Sequence, residues 1–195
     1  MIQYDCPPLR VLSADPAWQL GDSLPGPGRG AAKHYQTLSM FELQRFPLPP
    51  MLDDSLLFMW RVAAMQEEAL RLVRAWGFVP KSEIVWVKKT KTGKRHFGMG
   101  RYVRAEHESC IVAARGKARD LITDKGIRST FEAPVGEHSA KPEVFYREIV
   151  EKLIPGPYGE LFARARREGW WCYGNEVDGR KAKEDAREFP PAVAE

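Results

Sequence analysis

The sequence predicts a single α/β domain with a mainly parallel sheet and helices on both faces. Three observations support this fold class: the chain has 195 residues, 44% of them are hydrophobic, and short apolar runs alternate with segments of helical periodicity. A chain of this length and composition forms one compact domain with a substantial core. We therefore expect one domain over residues 1–179 and a charged C-terminal tail over 180–195.

Short apolar runs bounded by turn residues or charges are predicted to be buried strands. They span residues 10–14, 55–60, 83–88, 109–114, 159–164 and 170–174. The segment between the fourth run and about residue 137 is expected to be a loop.

Helical periodicity or end signals mark the segments predicted to be helices, which span residues 39–43, 62–76 and 142–153. The first begins at Ser39, a preferred N-cap residue. The second places apolar or small residues at helical spacing, and Gly77 follows in the position that commonly ends a helix. The third has Pro142 in its first turn, where a missing N–H costs nothing.

Charge is distributed unevenly along the chain. The formal net charge is +4 and the sequence pI is about 9.0, a mild bias toward polyanionic partners. Residues 88–104 (KKTKTGKRHFGMGRYVR) contain seven Lys or Arg and no acidic residue. We interpret this segment as a contact for nucleic-acid phosphates, and the alternative is a solvated basic loop.

The three cysteines, Cys6, Cys110 and Cys172, are scattered without a CxxC pattern or a cysteine/histidine cluster. This spacing predicts neither a disulfide framework nor a metal site. The sequence shows no signal-peptide pattern and no apolar run of membrane-spanning length. We therefore expect a cytoplasmic protein with no membrane association.

The first predicted strand ends in Asp15-Pro16-Ala17-Trp18. In a parallel α/β sheet, ligands bind outside the carboxyl ends of the strands. A carboxylate, a rigid main-chain carbonyl and an aromatic ring suit an exocyclic amine on a flat ring: Asp15 and the Pro16 carbonyl accept its two N–H bonds while Trp18 stacks on the ring. Taken alone, the motif could equally be a turn that ends the strand. Residues 21–30, rich in Gly and Pro, predict a loop that could cover such a site.

Further motifs follow this one in a fixed order. They are HYQTLS at 34–39, LLFMW at 56–60, EHE at 106–108, SAKPE at 139–143, ELFAR at 160–164 and GNE at 174–176. With this set, over nearly the whole chain, the sequence resembles the MT-A70 family of S-adenosylmethionine-dependent adenine-N6 methyltransferases, whose signature is DPPW. The resemblance implies a Rossmann-like class I methyltransferase fold in permuted order.

The resemblance also implies roles for individual residues. Asp15 and Pro16 would hold the target amine, and Trp18 and Tyr35 would line the pocket for the base. The residues at positions where the family binds S-adenosylmethionine are Asp15, Ser139, Lys141, Arg164, Arg167, Asn175 and Glu176. The residues of the basic segment expected to contact the substrate are Lys91, Lys94, Arg95 and Arg101.

Two departures from the family pattern, one short motif and one tryptophan need interpretation. Ala17 replaces the second proline of DPPW, but it removes neither the acceptors nor the aromatic ring, so we expect activity to be retained. Arg167 stands where some relatives carry a polar amide, so contacts with the cofactor ribose are expected to differ. We interpret EHE as a structural or base-proximal element rather than a metal site, and Trp86 as a core residue.

The expected function is transfer of a methyl group to the N6 amine of adenine in nucleic acid, with DNA as the first choice for a compact prokaryotic or phage-like member. RNA is the second choice. Two alternatives stay open: a catalytically silent subunit that binds nucleic acid for an active partner, and methylation of glutamine amides in proteins, which related motifs perform. A homodimer or heterodimer is compatible with the sequence.

Overall fold

The computed structural model describes residues 4–18, 37–98, 102–136, 140–174 and 177. These residues form a seven-stranded sheet in the order β5-β3-β4-β2-β1-β6-β7. The strands are β1 (Leu9–Ala14), β2 (Met51–Arg61), β3 (Val79–Lys89), β4 (His107–Arg115), β5 (Thr130–Pro134), β6 (Tyr158–Leu161) and β7 (Trp170–Tyr173).

Strand direction determines which residues meet at each edge of the sheet. β1 pairs in parallel with β2 and β6, β6 with β7, and β3 with β5. β4 alone runs in the opposite direction, antiparallel to β2 and β3. The carboxyl ends of the other six strands therefore share one edge with the amino end of β4. We call this the site edge, and it is defined by Ala14, Arg61, Lys89, His107, Pro134, Leu161 and Tyr173.

Helices cover both faces of the sheet. α1 (Met40–Gln44) and α2 (Gln66–Ala75) lie on one face, where Leu43 and Leu72 share a buried cluster with Leu57 of β2. A π-helical segment (Phe145–Val150) followed by α3 (Glu151–Leu153) lies on the other face, where its apolar residues join a second cluster built on Val11, Phe58 and Trp86. The predicted mainly parallel, Rossmann-like α/β methyltransferase fold is confirmed.

The helix ends follow the local sequence. Ser39 caps α1 in a capping box, since its hydroxyl accepts from the Glu42 N–H and the Glu42 carboxylate accepts from the Ser39 N–H at 2.8 Å. α2 ends before Gly77, whose φ of 81° is a left-handed conformation that favours glycine. A short 3₁₀ turn, Ala63–Met65, precedes α2, so the α-helix begins later than residue 62.

The expectation of a loop up to about residue 137 was wrong, because this segment contains β5 and a 3₁₀ turn, Ala118–Leu121. β5 is five residues long and pairs only with β3 at the edge of the sheet. Its sequence, TFEAP, includes an acidic residue and a proline, which are tolerated on an edge strand but give no apolar run. The strand depends on its partner rather than on its own pattern.

Two further predictions concern segments outside the described residues, namely the Gly/Pro-rich loop at 21–30 and the tail at 180–195. Cys6, Cys110 and Cys172 are free cysteines in the structure. Within the described ranges, no helix is long and apolar enough to cross a membrane.

Candidate active site

The motif DPAW leaves the sheet at the carboxyl end of β1, in the middle of the site edge. The Asp15 side chain is 22% exposed, and Pro16 is buried. The Pro16 carbonyl accepts a hydrogen bond from the N–H of Trp18 at 2.9 Å, and the Ala17 carbonyl accepts from the N–H of Leu38 at 3.0 Å. A carbonyl oxygen has two lone pairs, so the Pro16 oxygen can accept a second hydrogen bond.

Four side chains of alternating charge form a connected chain next to this motif. The Lys141 ammonium lies 2.6 Å from Oδ2 of Asp15 and 3.1 Å from Oε2 of Glu108. The other carboxylate oxygen of Glu108 lies 2.7 Å from Nζ of Lys88. We call Asp15, Lys141, Glu108 and Lys88 the ion-pair chain. No described residue bonds to Oδ1 of Asp15, which leaves this oxygen as a further acceptor.

Strand topology explains how these residues meet. Asp15 follows β1, and Lys88 lies near the carboxyl end of β3. Glu108 is the second residue of β4, which reaches the same edge because it runs antiparallel. Lys141 follows β5 and precedes the π-helical segment, so the chain returns from the edge strand to the centre of the sheet.

Opposite charges outweigh burial in the ion-pair chain. Burial alone would lower the pKa of Lys141, but the Asp15 and Glu108 carboxylates raise it above its ordinary value. Burial alone would raise the pKa of Glu108, but Lys141 and Lys88 lower it. The Lys141 side chain is only 6% exposed, and its ammonium lies 5.2 Å from the centre of the Trp60 ring, a cation–π distance. Lys141 is therefore a protonated, fixed cation at neutral pH.

Trp18 lies in the hydrophobic core, and its residue exposure is 5%. Its indole N–H donates to the carbonyl of Trp60 at 3.2 Å, which ties the DPAW motif to the end of β2. A base stacks on an open ring face, and this burial does not favour the stacking role predicted for Trp18. The contacts are those of a residue that fixes the position of the motif.

Arg167 belongs to a second cluster of buried charge on the π-helix side of the sheet. Its guanidinium lies 2.5 Å from Oε2 of Glu160, and Oε1 of Glu160 accepts from the Tyr146 hydroxyl at 2.7 Å. The Arg167 Nε also lies 3.0 Å from Glu143, and its guanidinium carbon lies 3.2 Å from the centre of the Tyr146 ring. Burial raises the pKa of Glu160, although Arg167 and Tyr146 oppose this. These contacts hold Arg167 in place on three sides.

Of the other predicted site residues, the structure describes only some. Arg164 is partly exposed beyond the carboxyl end of β6, at the site edge. The remaining positions lie outside the described residues, and they are Tyr35, Arg101, Ser139, Asn175 and Glu176.

The basic segment divides into two parts. Lys88 and Lys89 are ion-paired at the end of β3, with Glu108 and Glu132, and their side chains are 19% and 18% exposed. Lys91, Lys94 and Arg95 are exposed on the connection from β3 to β4. The predicted substrate contacts thus lie beyond the site edge, whereas the first two lysines of the segment are used internally.

Glu108 and Glu160 were not among the site residues predicted from the sequence. Glu108 was interpreted only as part of a structural or base-proximal element. Each of these two carboxylates lies in a largely apolar strand whose other residues are mostly buried. An acidic residue in such a run is the signal that could have identified both, because a buried carboxylate requires a charged or hydrogen-bonding partner.

Comparison with known proteins identifies the family of the chain. The MT-A70 family model matches residues 9–176. The chain belongs to the MT-A70 family.

Individual relatives differ in how much of their length is matched. The chain is 30% identical over 175 residues to the human N(6)-adenosine-methyltransferase catalytic subunit METTL3 and equally to the MT-A70-like protein of Drosophila melanogaster. Each match covers 87% of this chain, which spans only 27–28% of the length of those relatives. The type II methyltransferase M.MunI of Mycoplasma sp is 28% identical over 190 residues, covering 88% of this chain and 79% of that protein.

Proposed function

We propose that this MT-A70 protein transfers a methyl group from S-adenosylmethionine to the N6 amine of adenine in nucleic acid. The observation that carries the proposal is the carboxylate of Asp15 at the carboxyl end of the interior strand β1, with one oxygen paired to buried Lys141 and the other without a described partner. The carboxyl ends of the strands are where α/β sheets bind ligands. The free oxygen of Asp15 supplies a hydrogen-bond acceptor there, next to the fixed cation of Lys141.

The described side chains fit the chemistry of S-adenosylmethionine. The amino-acid end of this cofactor carries a carboxylate and an ammonium, which complement Lys141 and Asp15. The buried indole N–H of Trp60, beside Lys141, has no hydrogen-bond partner in the described part of the chain and is a further donor. Arg164 at the site edge and Arg167 in the neighbouring cluster are proposed to contact the cofactor as well, together with Ser139, Asn175 and Glu176.

When bound, S-adenosylmethionine supplies a methyl group that its positively charged sulfur already activates. The task of the protein is to orient the acceptor. The adenine amine is a poor nucleophile because its lone pair is delocalised into the ring. Asp15 and the Pro16 carbonyl would accept its two N–H bonds, favour a pyramidal nitrogen and direct the lone pair toward the donor. Asp15 then acts as an orienting acceptor rather than as a strong base.

We propose supporting roles for the residues around this centre. Lys141 fixes Asp15, and Glu108 in turn fixes Lys141 through its 3.1 Å contact. Trp18 holds the motif against β2, so Tyr35 is the proposed aromatic wall for the base. A base inside a duplex cannot reach such a site, so the target adenine must be single-stranded or flipped out of the helix.

DNA is the first proposed acceptor. The type II methyltransferase M.MunI is matched over 79% of its length, so the chain corresponds to most of a protein of this kind. RNA is the second candidate, because the matched N(6)-adenosine-methyltransferases are at least as similar in sequence. We propose that the protein acts in the cytoplasm.

The decisive experiment compares label transfer from S-[methyl-³H]adenosylmethionine to single-stranded DNA, duplex DNA, RNA and a glutamine-containing peptide. The chain and the variant Asp15→Ala are assayed together, with Asp5→Ala as a control for an exposed carboxylate upstream of β1. We expect transfer to a nucleic acid by the wild type and the control and none by Asp15→Ala. Equal transfer by Asp15→Ala contradicts the role of this residue. Transfer to the peptide alone, or nucleic-acid binding without any transfer, contradicts the proposed activity.

A further inference from the structure

A buried tyrosine hydroxyl that the proposed reaction does not use lies beside one of the proposed cofactor residues. Tyr146 is only 1% exposed, and its hydroxyl donates to Oε1 of Glu160 at 2.7 Å. Burial and the neighbouring Glu160 carboxylate raise the pKa of Tyr146 well above its ordinary value, so the hydroxyl stays protonated and acts as a donor. The other oxygen of Glu160 accepts from Nη1 of Arg167 at 2.5 Å. Two donors therefore hold the Glu160 side chain from two sides.

Arg167 is oriented in turn by this carboxylate and by two further contacts. Its Nε lies 3.0 Å from Glu143, and its guanidinium carbon lies 3.2 Å from the centre of the Tyr146 ring. The third nitrogen, Nη2, has no partner in the described part of the chain. Two guanidinium nitrogens thus fix the orientation of Arg167, and Nη2 is the one left for a ligand.

The helix that carries Tyr146 also holds the chain segment that carries Arg167. Tyr146 lies in the π-helical segment Phe145–Val150, and π-helical turns are rare and frequent at functional sites. The next residue, Arg147, donates through Nη2 to the Glu168 carbonyl at 3.0 Å. Glu168 belongs to the connection between β6 and β7, as Arg167 does. Two neighbouring helix residues therefore fix the side chain of Arg167 and the backbone next to it.

The Tyr146 hydroxyl lies on the same face of the sheet as the ion-pair chain. Tyr146 shares a buried cluster with Trp60, the ring against which the ammonium of that chain lies. Glu160 pairs with Ser13 in the register of β6 on β1, two residues before Asp15. Adjacent strands are about 4.7–4.9 Å apart. An extended ligand such as S-adenosylmethionine can therefore contact both groups.

We propose that Tyr146 is a positioning residue for S-adenosylmethionine: its hydroxyl orients Glu160, and Glu160 orients Arg167 so that Nη2 donates to the cofactor. Tyr146 does not itself touch the cofactor. The inference rests on the proposed function, because it assigns how Arg167, a proposed cofactor contact, is held in place. A tyrosine hydroxyl with a purely structural role is satisfied by a single carbonyl, as in Tyr158, which donates to the Ile154 carbonyl at 3.0 Å.

The test measures binding of S-adenosylhomocysteine, the demethylated form of the cofactor, by isothermal titration calorimetry. Tyr146→Phe removes only the hydroxyl, and Tyr158→Phe is the matched control. Tyr158 belongs to the same group of rings, since it stacks on Trp170 at 4.9 Å, but its hydroxyl contacts no charged group. We expect Tyr146→Phe to raise Kd about 3- to 10-fold, the value of one hydrogen bond. Tyr158→Phe should bind as the wild type does.

A double-mutant cycle shows whether Tyr146 acts through Arg167. Arg167→Lys keeps the charge but loses the planar fork that Glu160 orients. In the Arg167→Lys background, we expect Tyr146→Phe to change Kd by less than about twofold, because the group it positions is already gone. If the two substitutions multiply each other's effects on Kd, they act independently, and the positioning role is wrong.

A second variant reaches Arg167 from the exposed side of the cluster. Glu143→Gln removes the charged partner of the Arg167 Nε, and the Glu143 side chain is 59% exposed, so the variant should fold. Glu148→Gln is the matched control, since Glu148 is exposed to a similar extent, 54%, and pairs with Lys152 instead. We expect only Glu143→Gln to weaken binding of S-adenosylhomocysteine, by about two- to fivefold.

Steady-state kinetics separates positioning from a general loss of structure. We expect Tyr146→Phe to raise KM for S-adenosylmethionine and to leave kcat and the KM for nucleic acid unchanged, because uniform binding of the cofactor is what is lost. A lower kcat together with changes in both KM values would indicate a distorted site and contradict the proposed role.

The binding and transfer assays together distinguish a failure of this inference from a failure of the proposed function. Unchanged Kd in folded Tyr146→Phe, or in Glu143→Gln, overturns the positioning role even if the wild type transfers methyl groups and Asp15→Ala does not. Weaker binding by both variants alongside a wild type that transfers no methyl group keeps the positioning role and rejects the enzyme. A wild type that does not bind S-adenosylhomocysteine rejects both.

Discussion

Glu108 is the residue whose removal tests the ion-pair chain most sharply. Glu108→Gln keeps the size of the side chain and replaces one carboxylate oxygen with a neutral donor. It removes the negative charge that lies 3.1 Å from Lys141 and 2.7 Å from Lys88. Lys141 then keeps only Asp15 as an ion-pair partner, and Lys88 loses its ion pair with Glu108. We expect a loss of stability because Lys88 and Lys141 become partly uncompensated.

The magnitude follows from the burial of the partners. Breaking a fully buried ion pair by removing one partner costs about 3–5 kcal/mol. Here the side chains of Glu108 and Lys88 keep 20% and 19% exposure, and Lys141 retains its 2.6 Å contact with Asp15. We therefore expect the free energy of unfolding at pH 7 to fall by about 2–3 kcal/mol, at or just below the lower end of that range.

The pH dependence has a definite sign. The pKa of Glu108 is lowered in the folded protein from an ordinary value of 4.5. Its contribution to stability is therefore fully present above about pH 4.5 and is lost as the pH falls through the lower, folded pKa. The difference in the free energy of unfolding between the wild type and Glu108→Gln should therefore stay constant between about pH 5 and pH 7. It should shrink in more acid solution, where Glu108 becomes protonated.

Urea unfolding at a series of pH values measures both quantities. Glu106→Gln is the matched control, because it removes a neighbouring carboxylate whose ion pair with Arg95 is exposed. The Glu106 side chain is 37% exposed and the Arg95 side chain 67%. An exposed pair contributes about 0–1 kcal/mol. Equal and small losses for the two variants, or a difference for Glu108→Gln that does not change in acid, would refute the argument that the ion-pair chain is buried and mutually stabilising.

Three substitutions test the supports of the site. Trp18→Phe leaves the buried carbonyl of Trp60 without its donor and should cost about 1–3 kcal/mol in urea unfolding; a neutral effect would mean that the 3.2 Å contact does not matter. Gly174→Ala places a Cβ 2.0 Å from the Ala163 carbonyl oxygen, and calorimetry should show a Tm several degrees lower, corresponding to about 1–3 kcal/mol; an unchanged Tm contradicts the close approach of the two segments. Ser39→Ala removes the cap of α1 and should cost about 1 kcal/mol, whereas Ser39→Thr should restore most of it.

The parts of the fold that sequence predicted well are those with a strong pattern of their own. β1 was placed to within one residue because a short buried run ends at Asp15-Pro16. α2 was recognised from its apolar stripe and the glycine that follows it. β5 was missed because it is held by pairing with β3, and such tertiary support leaves no trace in a five-residue sequence.

The candidate site likewise contains residues that sequence motifs predicted and residues that only the folded sheet brings to it. Asp15 and Lys141 were predicted from motifs, and the structure brings them to a single contact. Glu108 reaches them only because β4 runs against the direction of its neighbours, which is a property of the sheet and not of the motif. Lys88 was read as part of a basic segment, but its partner is set by strand register. Trp18 was expected to face a ligand, and packing against β2 places it in the core.

In the proposed reaction, Asp15 holds the N6 amine of adenine for methylation. The most direct measurement is mass spectrometry of nucleosides released from the nucleic acid after reaction with S-adenosylmethionine, for the wild type and for Asp15→Asn. We expect N6-methylated adenine as the product of the wild type and a strong reduction of that product in Asp15→Asn. A methyl group on another atom or another base, or undiminished N6-methyladenine from Asp15→Asn, would contradict it.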